Sequence, residues 1–119
     1  MKLRILAVVV IVAMSVISSA NAKYPHQMSV QLLRADCELP DRPSQIRCEA
    51  FLVGVVDTVN AFSFWGALDK NYFCTPEGIT DVRLRKAFVG YVAAKGGVDL
   101  LEPAASLVIR AFGETFPCK

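Results

Sequence analysis

The apolar residues along this chain fall at helical spacing in four stretches, separated by segments rich in Pro, Gly, Asn and Asp. The first stretch carries Val30, Leu32 and Leu33 and predicts a short helix from about Met28 to Ala35, stopping around Asp36-Cys37. Pro40, Asp41, Arg42 and Pro43 mark residues 38–43 as a loop. Ser44 then stands as an N-cap for a second, longer helix. On it Cys48, Leu52, Val55, Val59 and Phe62 are spaced four, three, four and three residues apart, which sets them on one face. The pattern continues to Trp65 or Leu68, a helix of about 30 Å. Its other side gathers Ala50, Gly54, Asp57 and Ala61, with Val53 and Phe64 beside them. A helix apolar on most sides is either central in its own fold or shared with a second copy. The small residues allow close backbone approach, and a buried Asp57 would need a partner.

Asn71, Pro76 and Gly78 punctuate a loop over residues 69–78, after which Thr80 caps a third helix. Leu84, Ala87, Phe88 and Tyr91 form its core face, with Arg83, Lys86 and Gly90 elsewhere. Gly96-Gly97 ends it, and Lys95 suits the negative end of the helix dipole. A fourth helix starts either at Asp99, with Glu102 completing a capping box, or at Pro103. Ala104, Leu107, Val108, Ala111 and Phe112 face its core, while Ser106, Arg110 and Gly113 face away. No segment after residue 22 alternates apolar and polar residues long enough to predict a strand. The expected fold is all-α, a small bundle of four to five helices.

The first 22 residues read differently. Lys2 and Arg4 precede an apolar run from Ile5 to about Ile17, and Ala20-Asn21-Ala22 supplies small residues at a cleavage site. This is the three-part pattern of a secretory signal, and the run is shorter than the roughly 20 apolar residues a membrane span requires. Cleavage after Ala22 would leave residues 23–119 as one domain without a membrane anchor. The charge changes with it. Of the 13 basic residues, Lys2 and Arg4 leave with the signal, so the remaining 11 balance the 11 acidic ones. A neutral chain argues against nucleic acid as a partner.

All four cysteines, Cys37, Cys48, Cys74 and Cys118, follow the expected cleavage site, and an even count in an exported chain reads as two disulfides. Metal binding needs paired spacing such as C-x-x-C, which is missing, and His26 is the sole histidine. Four cysteines allow three pairings. Cys37 with Cys48 would close the hairpin of the first two helices, and Cys74 with Cys118 would fasten the last helix to the middle of the chain; this is the favoured arrangement.

Catalytic chemistry finds little support. His26 sits beside Pro25 without a recognisable nucleophile, and neither a G-x-S-x-G elbow nor a glycine-rich phosphate loop occurs. Asp57, Asp69, Asp81, Asp99 and Glu102 are scattered, as surface groups and helix caps are. Arg83, Arg85 and Lys86 read as a solvated helix face. No cofactor is expected.

Four pieces in order resemble the Rap/Tai family. They are Cys37 at the end of the first helix; Cys48-Glu49-Ala50-Phe51-Leu52-Val53-Gly54-Val55-Val56-Asp57; Phe73-Cys74-Thr75-Pro76-Glu77-Gly78-Ile79-Thr80; and Phe116-Pro117-Cys118. The resemblance implies a periplasmic immunity protein that neutralises a peptidoglycan amidase toxin delivered by type VI secretion. It also implies a disulfide-bonded helical fold, frequent homodimers and no catalysis. Where the family often has His-Pro after the third helix, this chain has Lys95-Gly96-Gly97-Val98, and it has Phe51 at a frequent tyrosine position. The loop Lys95, Gly96, Gly97, Val98 and Asp99 is the expected toxin contact, and Ala50, Gly54, Asp57 and Ala61 the expected dimer face. A periplasmic acid-stress chaperone, an exported binding protein of another kind and a secreted hydrolase or small-ligand carrier are the competing readings.

Overall fold

The computed structural model describes residues 27–119. The expected signal and cleavage site, and His26, lie outside the described residues. Four helices follow one another: α1 (Val30–Glu38), α2 (Arg42–Phe64), α3 (Asp81–Lys95) and α4 (Ala104–Thr115). The all-α expectation holds, at the lower end of its helix count, and no strand is present among the described residues.

Local chemistry sets the helix ends. Ser29 caps α1, accepting a hydrogen bond from the Leu32 N–H, which places the helix two residues later than its apolar pattern suggests. The next cap corrects the sequence reading. Asp41, not Ser44, caps α2, its Oδ1 accepting from the Ser44 N–H at 2.9 Å. Pro43 fits within the first turn because its missing N–H would have had no helical partner there. The expected loop over 38–43 shrinks to Leu39, Pro40 and Asp41, and Ser44 becomes a buried side chain that accepts from Arg47. Thr80 caps α3 as expected, and Gly96 ends it in the left-handed region at φ 67°. For α4, the start beside Pro103 is the one adopted. Asp99 forms a turn instead, its carboxylate accepting from the Leu101 N–H at 2.9 Å.

The disulfides are Cys37–Cys48 and Cys74–Cys118. The first ties α1 to α2 within a hairpin already fastened by Arg47, whose guanidinium grips Asp36 at 2.7 Å. The second joins the loop before α3 to the segment after α4, where the Cys74 N–H also donates to the Phe116 carbonyl.

The core lies between all four helices. Leu33, Leu52, Phe88, Leu107 and Phe112 are fully buried, and every position expected to face inward on α4 does so. From the loop after α2, Phe73 meets the edge of Phe112 at 5.7 Å, and Phe116 leans on the same ring. The core face of α2 is shorter than its spacing implies. Cys48, Leu52, Val55 and Val59 are buried, but Phe62 is 44% exposed because no helix covers that end of α2. Leu32 on α1 is likewise exposed. Gly113, expected to face away, backs onto the loop: a Cβ there would stand 3.1 Å from the Tyr72 carbonyl oxygen.

Candidate functional site

Two surfaces gather the residues singled out in the sequence. The first is the connection from α3 to α4. Gly96 turns the chain out of α3, and the strand-like course that follows is stitched to the start of α1. Val30 N–H donates to the Glu102 carbonyl and Gln31 N–H to the Leu100 carbonyl, both at 3.0 Å, while Ala104 N–H donates to the Met28 carbonyl at 2.9 Å. Side chains brace it further. Arg110 holds Glu102 at 2.8 Å, and Lys95 reaches Glu114 at 2.8 Å, with the Tyr91 hydroxyl also on that carboxylate. The Lys95 hydrogen bond holds the Glu114 pKa below the usual carboxylate range, and the same bond raises Lys95 above the usual lysine value.

This bracing leaves an apolar tip in solvent. Leu101 is 79% exposed and Leu100 40%, with exposed Leu32 on the adjoining strip of α1. Of the five residues expected to make contact, Lys95, Gly96, Gly97 and Asp99 are exposed, but Val98 turns inward against the core. The exposed apolar pair therefore lies just beyond the expected segment. Helical periodicity could not find it, because a loop has no period.

The second surface is the outer face of α2. Ala50, Gly54 and Asp57 are exposed and Ala61 is half-buried, so in a single copy Asp57 is solvated and lacks the buried surroundings its apolar neighbours implied. Between α2 and α4 runs an apolar groove of about 470 Å³, lined chiefly by Ala50, Phe51, Gly54, Thr58, Ala105 and Ile109. The Thr58 hydroxyl donates back to the Gly54 carbonyl at 2.7 Å, which uses its proton inside the helix, and the rest of the groove wall is mainly apolar. At the end of the same face stand Phe62 and Trp65, edge to face at 5.8 Å, with Trp65 69% exposed.

One polar cluster was missed in the sequence. Glu49 is 3% exposed and accepts from Arg42 on its own helix and from Arg85 on α3. Arg85 thus departs from the solvated run expected of Arg83, Arg85 and Lys86. The seven-residue spacing of Arg42 and Glu49, two helical turns, was the available signal. Three of the other carboxylates singled out in the sequence serve local structure: Asp81 in the first turn of α3, Asp99 in its turn, Glu102 with Arg110. Among the described residues, no group of three His, Cys, Asp or Glu side chains is placed to hold a metal ion.

A small helical bundle fixed by two disulfides, with a braced apolar loop and an open apolar face, is a scaffold for binding another protein. A family model described as Rap1a immunity proteins matches residues 29–118, nearly the whole described length. The chain belongs to the Rap1a immunity protein family, a family described by an immunity role. No curated protein and no solved structure matches the chain.

Proposed function

We propose that this chain is a periplasmic immunity protein that binds and blocks a peptidoglycan amidase toxin delivered by type VI secretion. Family membership supports the protective role. Two disulfides suit an oxidising compartment, as does the signal pattern of residues 1–22. The observation that carries the binding mode is the connection between α3 and α4. Its backbone is fixed by hydrogen bonds on both sides, yet it presents Leu101 to solvent. A loop ordered before binding loses little entropy when it docks, so such a tip suits insertion into the toxin's substrate groove. Lys95, Gly96, Gly97 and Asp99 would form the polar rim of that contact. A homodimer through the α2 face, with Ala50, Gly54, Asp57 and Ala61 near the seam, completes the reading. The test pairs the purified protein with an amidase encoded beside its gene. Stoichiometric inhibition is expected, with loss of affinity in Leu101→Asp. An amidase that keeps full activity over excess protein sinks the proposal.

The exposed rings at the end of α2, Phe64 at 88% and Trp65 at 69%, favour a second reading as an acid-stress chaperone that presents apolar surface to unfolding clients. Suppression of client aggregation across the acid range decides it; no protection at any pH rejects it.

A further inference from the structure

We propose that the hollow between the start of α3 and the segment after α4 binds small thiols that carry carboxylates and delivers their sulfur to the Cys74–Cys118 disulfide. The proposal does not rest on the immunity reading. In the sequence Arg83, Arg85 and Lys86 form one basic run, and the fold divides it. Arg85 turns inward to Glu49. Arg83 and Lys86, three residues apart on one face of α3, stay exposed and line a hollow of about 880 Å³. Lys119, from the segment after α4, lines it too. No Asp or Glu side chain is part of the wall. None of the three cations forms an ion pair among the described residues, which include every acidic residue of the chain. Two neighbouring carboxylates are engaged elsewhere: Asp81 accepts from the Val82 N–H at 2.8 Å, and Glu114 holds Lys95. A terminal carboxylate on Lys119 would offset one of the three charges and still leave the hollow positive. Its volume falls in the range of about 300–1,000 Å³ usual for small-molecule sites.

The same wall contains Cys74, and both cysteines of its disulfide are exposed. Cations and an accessible S–S bond in one hollow specify a ligand that is both an anion and a sulfur nucleophile. Pro76 and Pro117, with their fixed φ, and the buried side chain of Phe116 hold the wall in place before a ligand arrives. Cys118 does not line the hollow, so a thiolate seated there meets Cys74 Sγ. Its sulfur bonds to Cys74 as the Cys74–Cys118 bond breaks, and the electron pair leaves on Cys118 Sγ. Cys118 takes up the proton that the thiol gave up, so one S–S bond forms, one breaks and no further oxidant is needed. The Lys119 ammonium beside Cys118 eases the departure, because a cation lowers the pKa of the leaving thiol. The product is a mixed disulfide on Cys74. The Cys74 N–H bond to the Phe116 carbonyl is the last backbone hydrogen bond before residues 117–119, so exchange frees that segment. The buried Cys37–Cys48 bridge and the core keep the bundle folded.

The test compares mercaptosuccinate, a thiol with two carboxylates, with the neutral mercaptoethanol. Oxidised protein is mixed with each, quenched by acid after a small fraction has reacted, and mapped by mass. Each rate is expressed per thiolate and divided by the rate of the same thiol on hydroxyethyl disulfide, which removes differences in intrinsic reactivity. Mercaptosuccinate is expected to be favoured at least about 10-fold at low salt, with the adduct on Cys74, and the preference should fade as salt screens the cations. Succinate, which has the carboxylates and no sulfur, should slow mercaptosuccinate by competition. Arg83→Gln with Lys86→Gln should abolish the preference and leave the mercaptoethanol rate unchanged, a pattern that general loosening of the fold does not produce. Lys86→Glu, a single exposed change, should lower the mercaptosuccinate rate on its own. Equal normalised rates for the two thiols overturn the proposal, as does a preference that survives loss of both cations. An adduct on Cys118, or no competition by succinate, overturns it as well. Amidase inhibition has no bearing on any of these outcomes, so the proposal and the immunity reading stand or fall separately.

Discussion

Glu49 and Arg85, 36 residues apart in the chain, meet across the α2–α3 contact at 3.0 Å, with the carboxylate almost fully buried. Arg42 approaches the same carboxylate from the surface, at 3.1 Å with its own side chain 58% exposed. Among the described residues no buried side-chain nitrogen or oxygen lacks a partner, so this charge is a satisfied structural link between helices. Arg85→Ala removes the better-buried of its two partners and is expected to destabilise the protein by about 2 kcal/mol. Arg42→Ala, at an exposed site, should cost less than about 1 kcal/mol. Urea unfolding of the two variants tests this; equal effects would show that Arg85 has no special hold on Glu49.

The two disulfides differ in accessibility. Cys37 and Cys48 are buried, at 2% and 0% exposure, while Cys74 and Cys118 are exposed. Mild reductant is expected to open Cys74–Cys118 first, because thiol exchange needs access to a sulfur. Alkylation followed by mass mapping should find label on Cys74 and Cys118 before the other pair. In the chain-entropy picture the bridges are worth roughly 3 and 4 kcal/mol, the longer loop giving the larger value. Selective reduction should therefore lower the melting temperature before helicity is lost at room temperature.

Two glycines inside helices should respond differently to alanine. Gly90 on α3 has no atom within 4 Å of an added Cβ, and Gly90→Ala is expected to stabilise by about 0.5–1 kcal/mol through helix propensity. At Gly113 on α4 an added Cβ would stand 3.1 Å from the Tyr72 carbonyl oxygen, a backbone atom that cannot swing aside. There the steric cost, of about 1 kcal/mol or more, should cancel or reverse the gain. Thermal melts of both variants decide it, and an equally stabilised Gly113→Ala would contradict the close packing of the 69–78 loop on α4.

The Lys95–Glu114 pair gives a pH signature. Glu114 titrates below its usual range because Lys95 donates to it, so its contribution is present above the ordinary carboxylate range and lost as pH falls through its lowered value. Lys95 titrates above its usual value for the same reason, so its contribution is present below the ordinary lysine range and lost as pH rises through the raised value. The clasp beside Gly96 should hold across the interval between them. In Lys95→Met, carbon-detected NMR should show the Glu114 carboxyl titrating closer to an ordinary glutamate. An unmoved titration would mean that the pair does not form in solution.

Much of the fold was readable because it is decided over a few residues. Thr80 and Gly96 mark the ends of α3 through bonds to their own neighbours, and the spacing of Leu107, Val108, Ala111 and Phe112 suffices to orient α4. Even the disulfides follow from where the cysteines flank their helices. The misplaced start of α2 is instructive in the same way. Asp41 and Ser44 are both good caps, and the choice fell to Asp41 because an ionised carboxylate accepts a backbone N–H more strongly than a hydroxyl does. Its pKa, lowered first by that bond to the Ser44 N–H, carries the mark of it.

The apolar groove and the loop tip belong to a different order of information. By itself the sequence determined the four helices, both ends of α3, the all-α class and the resemblance to an immunity family, since each depends on local spacing or on ordered short motifs. Only the tertiary structure decided that Phe62 leaves the core, that Val98 turns in while Leu101 turns out, and that Glu49 finds Arg85. Burial depends on whether another element covers a face, and that is set by the packing of α1, α3 and α4 around α2. Hence the outer face of α2, visible in sequence as a stripe of small residues, became a groove with aromatic rings at its end once α4 had taken its place beside it.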